Sequence, residues 1–296
     1  MNDQKKFIII CDSSCNLTED LLEKYDIKII PYIINVDGKD VPCYEKGISL
    51  EKKVKELSEK MKNGAKILTS LVNGERFQEA AEPYLKEGKD VLFISLSSGI
   101  SGTFISANNA CKKLMKKYPE RKCYAVDSLA ASLGEGLLAI EAANLRDQGK
   151  SVDEVKAAID ASKKDVRQIF TVDDLKNLLA GGRISRLTAT VGTLLQIKPL
   201  LKGNEEGKIV SYGKVKGMKK ALRSLAEEFA ATVKNPKDQV VAIAHFCAEE
   251  NAKWLAETIK AMTGVKDVII SYYDMCTGVH VGIGTVALFY KGAGRA

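Results

Sequence analysis

The sequence has only two histidines, His245 and His280, and no Cys-x-x-Cys pair. With no clustered carboxylates or paired cysteines beside those histidines, no zinc spacing is legible and no metal is expected. The cysteines number seven, an odd count, and most stand in apolar surroundings. They read as buried thiols, which argues against a disulfide framework and for a cytoplasmic protein. The longest apolar runs, such as 7–11 and 240–244, are too short to cross a bilayer, so no membrane span is expected. The stretch MNDQKKFIII lacks the long apolar core and cleavage site of a signal peptide. Gly-x-x-x-x-Gly-Lys-Ser/Thr is absent, and so is Gly-x-Gly-x-x-Gly after a strand. No nucleotide site and no cofactor are therefore expected. A Gly-x-Ser-x-Gly nucleophile elbow is missing too.

What is present is an ordinary globular composition, 45% hydrophobic and 28% charged over 296 residues. The net charge of +7 comes from lysines spread over helical faces such as EKKVKELSEKMKNG. That pattern describes a solvated surface, and no nucleic-acid partner is expected from it. An anionic ligand or an acidic protein partner is compatible with it.

Short apolar strands alternate with helical patterns along the chain. Strands are expected at 7–11, 27–36, 66–70, 91–96 and 122–126, with a helix at 50–62. This is the rhythm of an α/β fold with a largely parallel sheet covered by helices on both faces. Helical patterns at 131–148 and 152–163 lead into a second α/β unit. Its strands are expected at 167–172, 198–201, 209–212, 240–245, 268–271 and 285–290. The domains are read as 1–162 and 163–296.

Ligands of parallel α/β sheets bind beyond the carboxyl ends of the strands. Four such ends carry hydroxyls: CDSSCN after the first strand, TSLVNGE with Thr69 and Ser70, SSGISGT with Ser97 and Ser98, and DSLAAS. Gly99 and Gly102 let the backbone turn toward a ligand, and a helix starting near Thr103 adds unpaired N–H groups. Such a cluster suits a carboxylate or phosphate, although serine and threonine also cap helices without binding anything. His280 lies among Gly278, Gly282 and Gly284, which suggests a site, and its charge is expected to change near neutrality. Gly181 and Gly182 end a helix and are followed by Arg183, Arg186 and an apolar stretch at 187–201. That segment is either core or the lining of an apolar cavity with an arginine at its mouth; arginine suits bidentate recognition of a carboxylate.

In order and spacing, the blocks IICDSSCNLT, KILTS, LSSGISGTFISA, YAVDSLAASLGEG, LLAGGRISR, IKPLL and GVHVGIGTVALFY resemble the DegV family of bacterial fatty-acid-binding proteins. The resemblance implies two α/β domains, the second with a mixed sheet, and a ligand at the cleft between them. It implies a long-chain fatty acid whose carboxylate is held by Thr69 and Ser98, with His280 and Arg183 completing the network and Ser70, Ser97 and Gly99 beside them. It also implies that the protein is the non-catalytic, acyl-carrying subunit of a kinase system. A separate ATP-binding subunit would phosphorylate the carboxylate for phospholipid synthesis. Lys216 falls where family members often carry an arginine thought to face that subunit. The chain also reads Thr-Ser-Leu-Val-Asn where the family often has Thr-Ser-x-Pro-Ser. The competing reading of the same residues is a small hydrolase or transferase using Ser98 and His280.

Overall fold

The computed structural model describes residues 7–185 and 196–295. Arg186 and residues 187–195 of the expected apolar stretch lie outside them.

The first strand, β1 (Phe7–Asp12), is buried over its whole length. A sequence without alternation, FIIICD, suits a strand covered on both faces. A 3-10 turn and α1 (Glu19–Tyr25) lead to β2 (Ile27–Ile30), which pairs with β1 in parallel. The expected strand at 27–36 is two strands. Pro31 has no N–H to continue the ladder, and the N–H of Tyr32 donates to Ser13 Oγ at 3.0 Å. The chain then forms a hairpin of β3 (Ile33–Val36) and β4 (Lys39–Pro42). Its turn is Asp37-Gly38, both at positive φ, the geometry a two-residue hairpin favours.

Helix α2 (Leu50–Lys62) precedes β5 (Ile67–Thr69), which pairs antiparallel with β3. The expected strand at 66–70 thus exists but belongs to a separate three-stranded sheet, β4-β3-β5. After α3 (Gly74–Lys86) come β6 (Asp90–Ser95), α4 (Thr103–Lys117) and β7 (Cys123–Asp127). They complete a four-stranded parallel sheet of order β2-β1-β6-β7.

Helices α5 (Leu133–Asp147) and α6 (Val152–Ser162) follow. The second domain contains β8 (Val166–Thr171), α7 (Lys176–Ala180), β9 (Ile197–Gly203), β10 (Ile209–Lys216) and α8 (Met218–Thr232). It continues with β11 (Val241–His245), α9 (Glu249–Thr263), β12 (Val268–Tyr272), α10 (Met275–Val281) and β13 (Val286–Lys291). Its sheet runs β10-β9-β8-β13-β11-β12 and is mixed: β11 and β12 are parallel and the other pairs antiparallel. The fold is therefore two α/β domains, one with a parallel sheet and one with a mixed sheet.

The helix α5 lies between the two sheets, against β1 and β6 on one side and β8, β11 and β13 on the other. Its first half, LGEGLLAI, is buried at every position, as a segment between two sheets must be, and Asn144 and Asp147 meet solvent toward its C-terminal end. Two glycines allow the close approach. A Cβ on Gly134 would lie 3.1 Å from the Phe289 ring, and one on Gly136 would lie 2.7 Å from the carbonyl oxygen of Cys15. Helices α8 and α9 cover the far face of the mixed sheet.

In an exposed helix, Gly→Ala gains about 1 kcal/mol. Gly136→Ala is expected to do the reverse and cost about 1–3 kcal/mol through overpacking. A urea titration checks this, as a lower midpoint at an unchanged slope. A higher midpoint would mean that α5 has room against the Cys15 turn.

Candidate functional site

A narrow cavity of about 180 Å³ lies between the domains. Thr69, Ser101 and Tyr32 face it from the first domain, and Arg183, His280 and Phe170 from the second. Most of the remaining wall is aliphatic or aromatic, including Leu178, Ile100, Val281 and Phe289. Among the described residues that line it, Arg183 is the one permanent cation and no carboxylate is present.

The polar end is built by the end of β5, the last turn of α10 and the turn after α7. Thr69 closes β5, and its Oγ1 lies 3.0 Å from His280 Nε2. His280 sits in the last turn of α10, where Gly282, at φ +83°, ends the helix. Its ring packs on the backbone of Gly181: a Cβ there would lie 2.4 Å from Nδ1. Two glycines follow α7 for different reasons, Gly181 to admit the imidazole and Gly182 to take the left-handed turn at φ +71°. Arg183 comes next. Its Nε donates to the Ile100 carbonyl at 3.3 Å, and its guanidinium also donates to the Gly181 carbonyl. Ser70 lines the same cavity and is exposed; its hydroxyl donates to the Ile33 carbonyl at 3.3 Å.

Burial, and after it the charge of Arg183, pushes the imidazole of His280 down to about 4. The expectation that His280 changes charge near neutrality is therefore corrected: at pH 7 it is neutral beside a fixed guanidinium. Thr69, neutral His280 and Arg183 form a donor-rich patch with a single positive charge, and the wall beyond them is apolar. A monoanion with an apolar tail fits such a surface.

The Ser97–Gly99 segment is placed differently. Ser97 is buried, and its hydroxyl donates to the Gly207 carbonyl at 2.8 Å. The N–H of Gly99 donates to Ser97 Oγ at 3.1 Å. A Cβ on Gly99 would lie 2.6 Å from the Glu206 carbonyl oxygen. Small residues here let the loop receive the turn between β9 and β10. Ser98 is exposed, its N–H donates to Asp127 Oδ1 at 3.1 Å, and none of Ser97, Ser98 and Gly99 lines the cavity. No hydrogen bond joins Ser98 to His280 among the described residues, and His280 Nε2 faces Thr69 instead. Lys216 is exposed at the end of β10.

The later half of that loop does reach the cavity. Ser101 lines it, and Ser101 Oγ, Thr103 Oγ1 and Tyr32 OH form a chain with separations of 2.9 and 2.7 Å. Tyr32, Tyr273 and Thr277 are lining residues that sequence reasoning missed. For Tyr32 the available signal was Pro31, which breaks the strand and turns the next side chain inward.

A family model described as "Uncharacterised protein, DegV family" matches residues 6–292. A DegV domain-containing protein of Clostridium perfringens is 40% identical over 97% of this chain and 98% of its own length. A solved Thermotoga maritima protein, described as revealing a fatty acid binding function, is 29% identical with a TM-score of 0.83. That match covers 98% of this chain and 100% of the other. The fold is also that of the fatty acid kinase (Fak) B3 protein of Streptococcus pneumoniae, loaded with linoleic acid. There the TM-score is 0.83 at 22% identity, over 97% of this chain and 99% of that one.

The histidine makes a pH-dependent contribution whose sign is fixed. A folded pKa near 4 against about 6.5 unfolded leaves stability unaffected above pH 6.5 and lowers it as pH falls from 6.5 toward 4. At pH 5 the loss attributable to His280 is about 2 kcal/mol at 1.36 kcal/mol per unit. Denaturant titrations of wild type and His280→Gln, stripped of bound small molecules, should diverge in this way between pH 7 and 5. Parallel curves would show that the imidazole is not held neutral.

Proposed function

The chain belongs to the DegV family, and from that membership we propose that it binds a long-chain fatty acid and presents the carboxylate to a separate ATP-dependent kinase subunit. The observation that carries this reading is the interdomain cavity, with one arginine and neutral donors at one end and apolar walls beyond. The fatty acid binding described for the Thermotoga maritima protein supports it. The kinase step rests on the name of the Streptococcus pneumoniae neighbour.

On this reading Arg183 supplies the charge for the carboxylate, and Thr69, Ser70 and His280 supply hydrogen bonds. Ser97 and Gly99 act one step back, by fastening the first domain to the β9–β10 turn, while Ser98 holds the loop to Asp127. Each methylene buried against Phe170, Leu178 or Phe289 contributes about 0.8 kcal/mol, so the tail carries most of the affinity. The head group sets orientation. The carboxylate oxygen attacks the γ-phosphorus of ATP in line, the bond from that phosphorus to its bridging oxygen breaks, and an acyl phosphate and ADP result. The ATP comes from the partner, since the sequence carries neither nucleotide-binding motif. Lys216, exposed on β10, is proposed to face that partner.

Protein purified without added lipid is expected to carry about one fatty acid per chain, read by mass spectrometry of an organic extract. Delipidated protein that gains no melting temperature with oleate or palmitate would count against binding. Arg183→Ala is expected to weaken fatty-acid binding less than tenfold and to slow acyl-phosphate formation more than tenfold with a kinase subunit supplied. Unchanged phosphorylation in that variant would remove Arg183 from the head-group site.

A further inference from the structure

A polar cluster whose three central residues do not line the cavity lies where β1 meets α5. Cys11, Cys15 and Glu135 are each 0–1% exposed. Their two sulfur atoms and a carboxylate oxygen all lie within 4.8 Å of one another. Two further buried carboxyls, Asp12 and Asp274, stand nearby, joined to the cluster through Ser14 and Ser13. Glu135 Oε2 accepts from Ser14 Oγ at 3.0 Å, whereas Oε1 is buried with no hydrogen-bond partner. No lysine, arginine or histidine forms an ion pair with Asp12, Glu135 or Asp274 among the described residues.

Buried charges are tolerated when they are paired or coordinate a metal. Here Glu135 Oε1 is left without a partner, and two sulfur atoms beside it complete a soft donor set. We propose that Cys11, Cys15 and Glu135 form a binding site for a borderline-soft divalent cation of the zinc class. Two thiolates and a carboxylate are ligands such an ion takes in tetrahedral sites. Cys15 also lines a second cavity of about 280 Å³, together with Ser13, Thr18, Tyr44 and Asp274. That cavity reaches the cluster at Cys15 and gives the ion a route in.

Binding would release the protons of the ligating groups, with no change of oxidation state. The ion would bond β1 and its following turn directly to α5. Sequence spacing does not reveal the site, because Glu135 reaches the two cysteines only through packing of α5 on β1.

Cobalt(II) reports such a site through thiolate-to-metal charge-transfer absorption. The full chain, treated with a chelator and then titrated with cobalt(II), is expected to develop that band with one equivalent, and zinc(II) should displace it. Cys15→Ser should lose the band, Glu135→Gln should weaken binding at least tenfold, and Cys111→Ser should change nothing. Cys111 serves as the control because it pairs with another buried thiol, Cys123, 3.1 Å away and outside this cluster. Absence of a thiolate band in the wild type, or an identical band in Cys15→Ser, overturns the proposal. If Cys15→Ser does not fold, the near-isosteric Glu135→Gln decides: cobalt affinity equal to wild type overturns it, and a tenfold loss supports it.

Discussion

The two domains are held together by one shared element, a helix whose first two turns leave no face for water. Because α5 is buried against both sheets, the wall that each domain gives to the cavity is fixed relative to the other. The loops at its N-terminal end reinforce this. Gln168, on β8, accepts from the Ala131 N–H at 3.0 Å and donates to the Leu129 carbonyl at 2.9 Å. Ser97 donates to the Gly207 carbonyl, and Arg295 to the carbonyls of Leu129, Val166 and Lys163. These bonds satisfy loop carbonyls that domain contact would otherwise bury without a partner. A cavity between rigidly joined walls keeps its shape, whereas one between loosely joined domains would collapse.

Elements whose identity depends on local pattern were legible. The strands FIIICD and DVLFIS announce a doubly covered parallel sheet by their unbroken apolar runs, and α2 spans the residues expected from its pattern. What was not legible depended on partners distant in sequence. Residues 27–36 read as one strand because Ile29, Ile30, Tyr32, Ile33 and Ile34 follow one another with Pro31 alone between them. Pro31 and the bond from Tyr32 to Ser13 Oγ divide it between two sheets. For β5 the error has the same origin: a strand followed by a helix looks like a parallel unit until its neighbour, β3, is known.

The candidate site divides along the same line. The glycines flanking His280 and preceding Arg183 were visible signals, and both side chains face the cavity with Thr69. The serine-rich loop after β6 was misjudged in its details because small residues serve any close approach. Leu96 and Ser101 reach the cavity, while the three residues Ser97, Ser98 and Gly99 meet another loop or solvent. The protonation of His280 could not be read from sequence at all, since its desolvation and its neighbour Arg183 arise only on folding.

That protonation state bears on the chemistry proposed for the site. A carboxylate in a low-dielectric cleft is strongly stabilised by each nearby cation. Two cations would hold it tightly, but its oxygen would then be a poor nucleophile, because stabilising the ground state raises the barrier to attack. On the proposed reading, Arg183 alone would offset the cost of bringing a charged head group out of water. The neutral imidazole and the Thr69 hydroxyl would fix its direction by hydrogen bonds that can lengthen as negative charge passes to the phosphoryl oxygens. An uncharged His280 suits that proposed chemistry: beside a guanidinium, a second positive charge would be costly without ligand and would hold a carboxylate too firmly once bound. The glycine at 181 makes this arrangement possible, since any side chain there would displace the ring that faces Thr69.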